Sequence, residues 1–171
     1  MVEIQVHENR EAREKALRSI ANTGFLNVWE GAVRSGKTVS ALIAFCIYVT
    51  RSPETTFLLS GRTIATIEKN CIMEEYGILN LIPQATYHKV GESRAVTFEA
   101  RQDGKVVHKT ISVVGAADIR AYMTIRGNTY AGWFADEINM HDKRFVEEAF
   151  NRTIKSSDRK HFHTLNPDNP N

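Results

Sequence analysis

The sequence has little of what stabilises a small secreted fold or anchors a chain in a membrane. Its 171 residues hold two cysteines, Cys46 and Cys71, with no C-x-x-C spacing. That argues against a disulfide framework or a zinc site and fits a reducing compartment. The longest apolar run, ALIAFCIYV (41–49), is far short of the ~20 residues a membrane span requires. The start, MVEIQVHENREAREK, is charged and has no apolar core of a signal peptide. Neither sign of charge dominates, since 22 basic and 20 acidic residues leave only +2. Such a balance permits contact with nucleic acid without arguing for it. No repeat, low-complexity tract or linker interrupts the chain. The expectation is one soluble, cytoplasmic domain over 1–171, with 42% hydrophobic residues to build its core.

What is present is an alternation of strand and helix signals. Ala12, Ala16, Leu17 and Ile20 recur at helical spacing, giving a helix over about 9–22 that Asn9 can cap and Gly24 can end. FLNVWE (25–30) reads as a short strand, and KTVSALIAFCIYVTR (37–51) as a helix apolar on most faces. Pro53 stops that helix, and TTFLLSG (55–61) reads as a buried strand. Residues 63–82 are helical, interrupted at Gly77 and ended by Pro83. Between 86 and 115 apolar and polar residues alternate, and Asp103-Gly104 carries a hairpin signal. A short helix and loop (117–127), a strand (130–136), a helix (142–153) and a strand (160–166) complete the chain before a PDNPN turn. The pattern predicts an α/β fold: a mostly parallel sheet flanked by helices, with a β-hairpin elaboration at about 86–115.

GAVRSGKT, residues 31–38, matches G-x-x-x-x-G-K-[ST] and sits between a strand and a helix, the context a phosphate-binding P-loop (Walker A) needs. Gly31 and Gly36 let Ala32, Val33, Arg34 and Ser35 curl so that backbone N–H groups converge on phosphate oxygens. Lys37 supplies a charge to the β and γ phosphates, and the Thr38 hydroxyl can ligate Mg²⁺. GWFADE (132–137) is an apolar strand ending in two acids, a Walker B pattern. Asp136 is placed to hold Mg²⁺ through water, and Glu137 to take a proton from an attacking water. Elsewhere an Asp-Glu pair is usually a solvated turn; a phosphate loop upstream favours the functional reading.

Arg34 can reach a γ-phosphate from within its own loop, and Arg126, just before the acidic strand, can project toward a neighbouring subunit. His161 and His163 share one strand face and read as strand packing rather than a metal site. Cys46 and Cys71 read as small buried apolar residues. Arg62, Lys69, Lys89, Arg101, Lys105 and Lys109 are candidate DNA-phosphate contacts, each more readily explained as a solvated surface charge.

Taken together, GAVRSGKT, IRGNTYAGWFADEI and HTLNPDNP resemble the N-terminal ATPase domain of phage terminase large subunits, over roughly residues 24–171. The resemblance implies a RecA-like core with an additional strand, using ATP and Mg²⁺. It implies that Asp136 coordinates the metal, that Glu137 is the catalytic base, and that Arg34 and Arg126 serve hydrolysis, Arg126 across a subunit interface. It makes Thr164, Asn166 and Pro167 a coupling motif between γ-phosphate and movement. As partners it implies double-stranded DNA, a homo-oligomeric ring on a portal, a small terminase subunit, and a nuclease domain or chain elsewhere. The nuclease domain typical of the family is not expected within 1–171. Two other readings stay open: another RecA-type or helicase-like ATPase, and a non-hydrolysing, nucleotide-gated DNA or protein adaptor.

Overall fold

The structure is a computed structural model that describes residues 10–32 and 35–167. Seven strands form one sheet: β1 (Leu26–Glu30), β2 (Thr56–Gly61), β3 (Thr86–Val90), β4 (Ser93–Gln102), β5 (Lys105–Gly115), β6 (Gly132–Ala135) and β7 (Lys160–Leu165). Their spatial order is β1-β7-β6-β2-β5-β4-β3. The first five in that order run parallel, and β4 and β3 continue the sheet through antiparallel ladders. The hairpin residues expected at 86–115 therefore extend the main sheet, with β5 paired in parallel to β2. Asp103 (φ 48) and Gly104 (φ 76) turn β4 into β5 with the two positive φ angles of a type I′ hairpin.

Helices cover both faces. On one lies α2 (Lys37–Arg51), whose residues from Ser40 to Val49 are buried except Ile47. Its near-continuous apolar sequence is the consequence of lying between the sheet and α1 (Arg10–Ala21). Phe45 of α2 meets Phe134 and Phe162 at 5.5 and 5.6 Å between ring centroids. On the opposite face, α5 (Tyr122–Ile125) and α6 (Lys143–Thr153) pack Ile125, Phe145 and Ala149 with Leu58 and Trp133. Successive residues Phe57, Leu58 and Leu59 alternate between these two cores, as the period of two in a strand requires.

Two sequence expectations are corrected. Within the helical stretch over 63–82, the break expected at Gly77 begins earlier and is wider. The stretch consists of α3 (Ile64–Ile67), a π-helical turn (Glu68–Ile72), a non-helical segment, and α4 (Ile78–Leu81). The break comes at Met73, ahead of Gly77, and a Cβ on Gly77 would lie 2.5 Å from the Ile72 carbonyl oxygen. Lys109 is not a surface charge. It is 1% exposed, and its ammonium donates to the Val49 carbonyl at 2.8 Å and to that of Ser52. It thus caps the C-terminal end of α2, where helix carbonyls lack partners and cations are favoured. Gln102 adds donors to the carbonyls of Arg51 (3.2 Å) and Ser52. No helix among the described residues is long and apolar enough to cross a membrane. Asn9, expected to cap α1, lies outside the described residues.

Candidate active site

The site is assembled where parallel strands end. β1 leads into the loop 31–36, β6 into Asp136 and Glu137, and β7 into Asn166. Because β7 lies between β1 and β6, its last residues stand between the loop and the acids. Carboxyl ends of strands in an open α/β sheet are where ligands bind.

Gly36 adopts φ 76, in the left-handed region, and caps α2 without a side-chain hydrogen bond. A side chain at this conformation costs on the order of 1 kcal/mol, so glycine suits the turn. The first N–H groups of α2 are consequently left to an outside acceptor, and the helix N-terminus favours an anion. Lys37 folds back over the loop, donating to the carbonyls of Gly31 (3.0 Å) and Ala32 (3.3 Å) and to Asn166 Oδ1.

A chain of contacts joins this lysine to the acids. Asn166 Nδ2 donates to Glu137 Oε1 at 2.8 Å. The Glu137 backbone N–H donates to Thr164 Oγ1 at 2.9 Å, and Thr164 in turn donates to Asp136 Oδ1 at 2.8 Å. Thr38 Oγ1 reaches the same Asp136 oxygen at 3.3 Å. Asp136 is 5% exposed. Burial raises its pKa above the ordinary carboxylate range, against the pull of hydrogen bonds from Thr164, Thr38 and Asn70 and with a further push from Glu137. Glu137 has φ 52, an uncommon conformation for a side-chain-bearing residue that concentrates at functional sites.

The sequence-singled residues Lys37, Thr38, Asp136, Glu137, Thr164 and Asn166 therefore converge. Gly31, Ala32, Ser35 and Gly36 form the loop beside them, while Val33 and Arg34 lie outside the described residues. Pro167 is exposed beyond β7. Arg126 ends α5, is exposed, and its side chain makes no hydrogen bond or ion pair among the described residues.

The cleft, of about 450 Å³, has a further wall that sequence reading did not assign to it: Lys69, Asn70 and Glu74. All three follow β2, and Asn70 belongs to the π-helical turn together with Cys71. Cys71 is fully buried. Burial, and then the charge of Asp136, push its thiol well above the ordinary range. Behind the acids, His141 Nε2 lies 2.8 Å from Ser60 Oγ, which accepts the Trp133 indole N–H at 2.7 Å. This contact anchors the far end of the 3-10 turn Ile138–Met140 that follows Glu137. His161 and His163 are buried against Trp133 and Phe150.

No family model and no curated protein matches the chain by sequence. Solved structures do match. The large terminase of a thermophilic bacteriophage aligns with 90% of this chain and 39% of its own, at TM-score 0.67 and 20% identity. The Thermus phage P74-26 large terminase ATPase domain aligns with 91% of this chain and 65% of its own, at TM-score 0.65 and 17% identity. The fold is that of a phage large-terminase ATPase domain. At these identities the likeness is one of architecture, a RecA-like P-loop sheet with helices on both faces. The chain spans about two-fifths of the first of these terminases, which has also been solved with ADP (TM-score 0.67, 19% identity, 91% of this chain and 38% of that one).

Proposed function

We propose that the chain binds ATP with Mg²⁺ between the loop 31–38 and the acids 136–137, hydrolyses it, and drives a DNA-packaging motor. The observation that carries this reading is the unbroken line of contacts from Lys37 through Asn166, Glu137 and Thr164 to Asp136 and Thr38. It ties phosphate loop, acids and intervening strand into one polar unit.

The residues fit both ligands. The uncapped N-terminus of α2 and the Lys37 ammonium suit phosphate. A buried carboxylate whose described donors include two hydroxyls, one of them 3.3 Å away on Thr38, suits a hard cation. Thr38 and, through water, Asp136 would hold Mg²⁺, which would supply neutralising charge to the phosphates. Lys37 exchanges its carbonyl and amide acceptors for phosphate. Glu137 takes the proton of the attacking water at Oε2, the oxygen that Asn166 does not hold. Thr164 keeps the Glu137 backbone and the Asp136 carboxylate in fixed relation while this happens. The complexes of the thermophilic-bacteriophage terminase with ADP and with ATP-γ-S support a nucleotide as the ligand.

In this reading Arg34 acts from the loop, and the unpaired Arg126 completes the site of a neighbouring subunit. Thr164, Asn166 and Pro167 transmit the state of the γ-phosphate. The motor is a homo-oligomeric ring on a portal in the host cytoplasm, moving double-stranded DNA into a procapsid. A small terminase subunit and a nuclease act alongside it. The likeness to terminase ATPase domains supports these assignments.

Glu137→Gln tests the core of the proposal. MgATP turnover falls by about 10²-fold or more while MgATP binding persists. Unchanged turnover, or a wild-type chain that binds no MgATP, refutes it.

A further inference from the structure

We infer that Lys69 is a phosphate-binding residue of the same cleft, contacting the terminal phosphate of a bound nucleoside triphosphate from the side opposite the loop. The inference rests on the nucleotide reading above and adds to it a residue that distinguishes triphosphate from diphosphate.

Three walls enclose the cleft. Ser35 to Val39 form the first, Asp136, Glu137 and Asn166 the second, and Lys69, Asn70 and Glu74 the third. Lys69 is exposed, and its ammonium makes no hydrogen bond or ion pair among the described residues, not even with Glu74. Other lysines are committed elsewhere: Lys89 to Glu68 at 2.9 Å, Lys109 to the end of α2, Lys160 to Thr23. Lys69 is thus a free cation facing a cleft that holds three carboxylates.

Lys69 belongs to the π-helical turn, on the side away from the core. Ile64 and Ile67 of α3 turn toward the core, and Cys71 and Ile72 continue that buried side. The wider turn, closed by the Met73 N–H on the Glu68 carbonyl at 2.9 Å, brings both Cys71 and Ile72 to 0% exposure. Lys69 and Asn70 are left to the cleft side. Such turns insert one residue into a helix and recur at functional sites. The residue before Lys69 is anchored to β3. Glu68 accepts from the Tyr87 hydroxyl at 2.8 Å and from Lys89, and Asn70 lines the cleft together with Asp136.

Position then selects the phosphate. Lys37 and the N-terminus of α2 serve the loop side. Lys69 lines the cleft with Asp136 and Glu137, on the acid side, where the terminal phosphate must lie for Glu137 to reach the attacking water. A diphosphate leaves that side empty.

The test is titration calorimetry of the full chain in Mg²⁺, with ADP and with the β,γ-imido analogue of ATP. Lys69→Ala is expected to weaken the analogue about tenfold or more, the share of one charge-assisted hydrogen bond, with ADP binding shifted less than about threefold. Lys69→Arg restores most of the difference. Melting curves of the nucleotide-free variants should overlay the wild type, because the side chain is exposed. Equal weakening of both nucleotides, or of neither, overturns the assignment. A loss confined to double-stranded DNA binding also overturns it and makes Lys69 a DNA contact. If the wild type binds neither nucleotide, the nucleotide reading itself fails and Lys69 falls with it.

Discussion

Replacing Thr164 by Val removes one hydroxyl and little else. The β-branched shape and strand preference of this fully buried residue are kept. Two interactions go: the donor to Asp136 Oδ1 at 2.8 Å and the acceptor for the Glu137 N–H at 2.9 Å. A hydrogen bond to a charged group contributes about 1.5–3 kcal/mol, and an orphaned buried amide costs about 1–3 kcal/mol. With Thr38 still beside Asp136, the expected loss is about 2–4 kcal/mol, a fall in Tm on the order of 5–15 °C. The loss also has a pH signature. Burial already raises Asp136 above its unfolded value, and the Thr164 hydrogen bond opposes that rise. Between the unfolded and folded values the native state binds more protons, so stability falls as pH rises through that window. Thr164→Val lifts the folded value further and widens the window upward. Its deficit should therefore be larger at pH 8 than at pH 5 in urea unfolding. A deficit below about 0.5 kcal/mol at pH 8, or the same deficit at both pH values, refutes the account of how Asp136 is held.

Other perturbations address what lies around the site. His163 is pushed down to about 3 by burial, then by His161 and His141. The unfolded chain therefore binds more protons below about pH 6.5, and the stability present above that value is lost as pH falls toward 3. His163 Nε2 has no partner, so His163→Phe should leave the Tm at pH 7 nearly unchanged and flatten its decline toward pH 4.5. A decline as steep as wild type contradicts this. Lys109→Met removes the charged cap of α2 and should cost about 2 kcal/mol in urea unfolding. A loss under about 0.5 kcal/mol would mean that the Val49 and Ser52 carbonyls do not depend on the lysine.

Much of the fold is legible where local pattern decides it. The limits of α2 follow from the P-loop glycine before it and Pro53 after it, and the β4–β5 turn from Asp103-Gly104. The π-helical turn is not legible, because EKNCI has the composition of an ordinary amphipathic helix. That turn also carries Asn70 and precedes the break before Glu74, so a whole wall of the cleft escaped notice. Lys109 had a readable signal: it shares its strand phase with Ile111 and Val113, both buried. A lysine in the inward phase of a strand marks a carbonyl cluster to be satisfied, and residue type alone conceals it. Lys37, Thr38, Asp136 and Glu137 were legible because two short motifs place them at strand ends. The bridging role of Asn166 needed the order β1-β7-β6, which no local pattern encodes.

The Lys109 cap has a mechanical consequence. α2 is a rod of 15 residues, about 22 Å long, and its far end is riveted to β4 and β5 by Gln102 and Lys109. Its near end begins at Gly36, and between the two ends its buried face lies against the sheet. A load on the near end therefore travels along the packed length of α2 to the Lys109 rivet, and arrives at the antiparallel edge of the sheet, far from the cleft where it began.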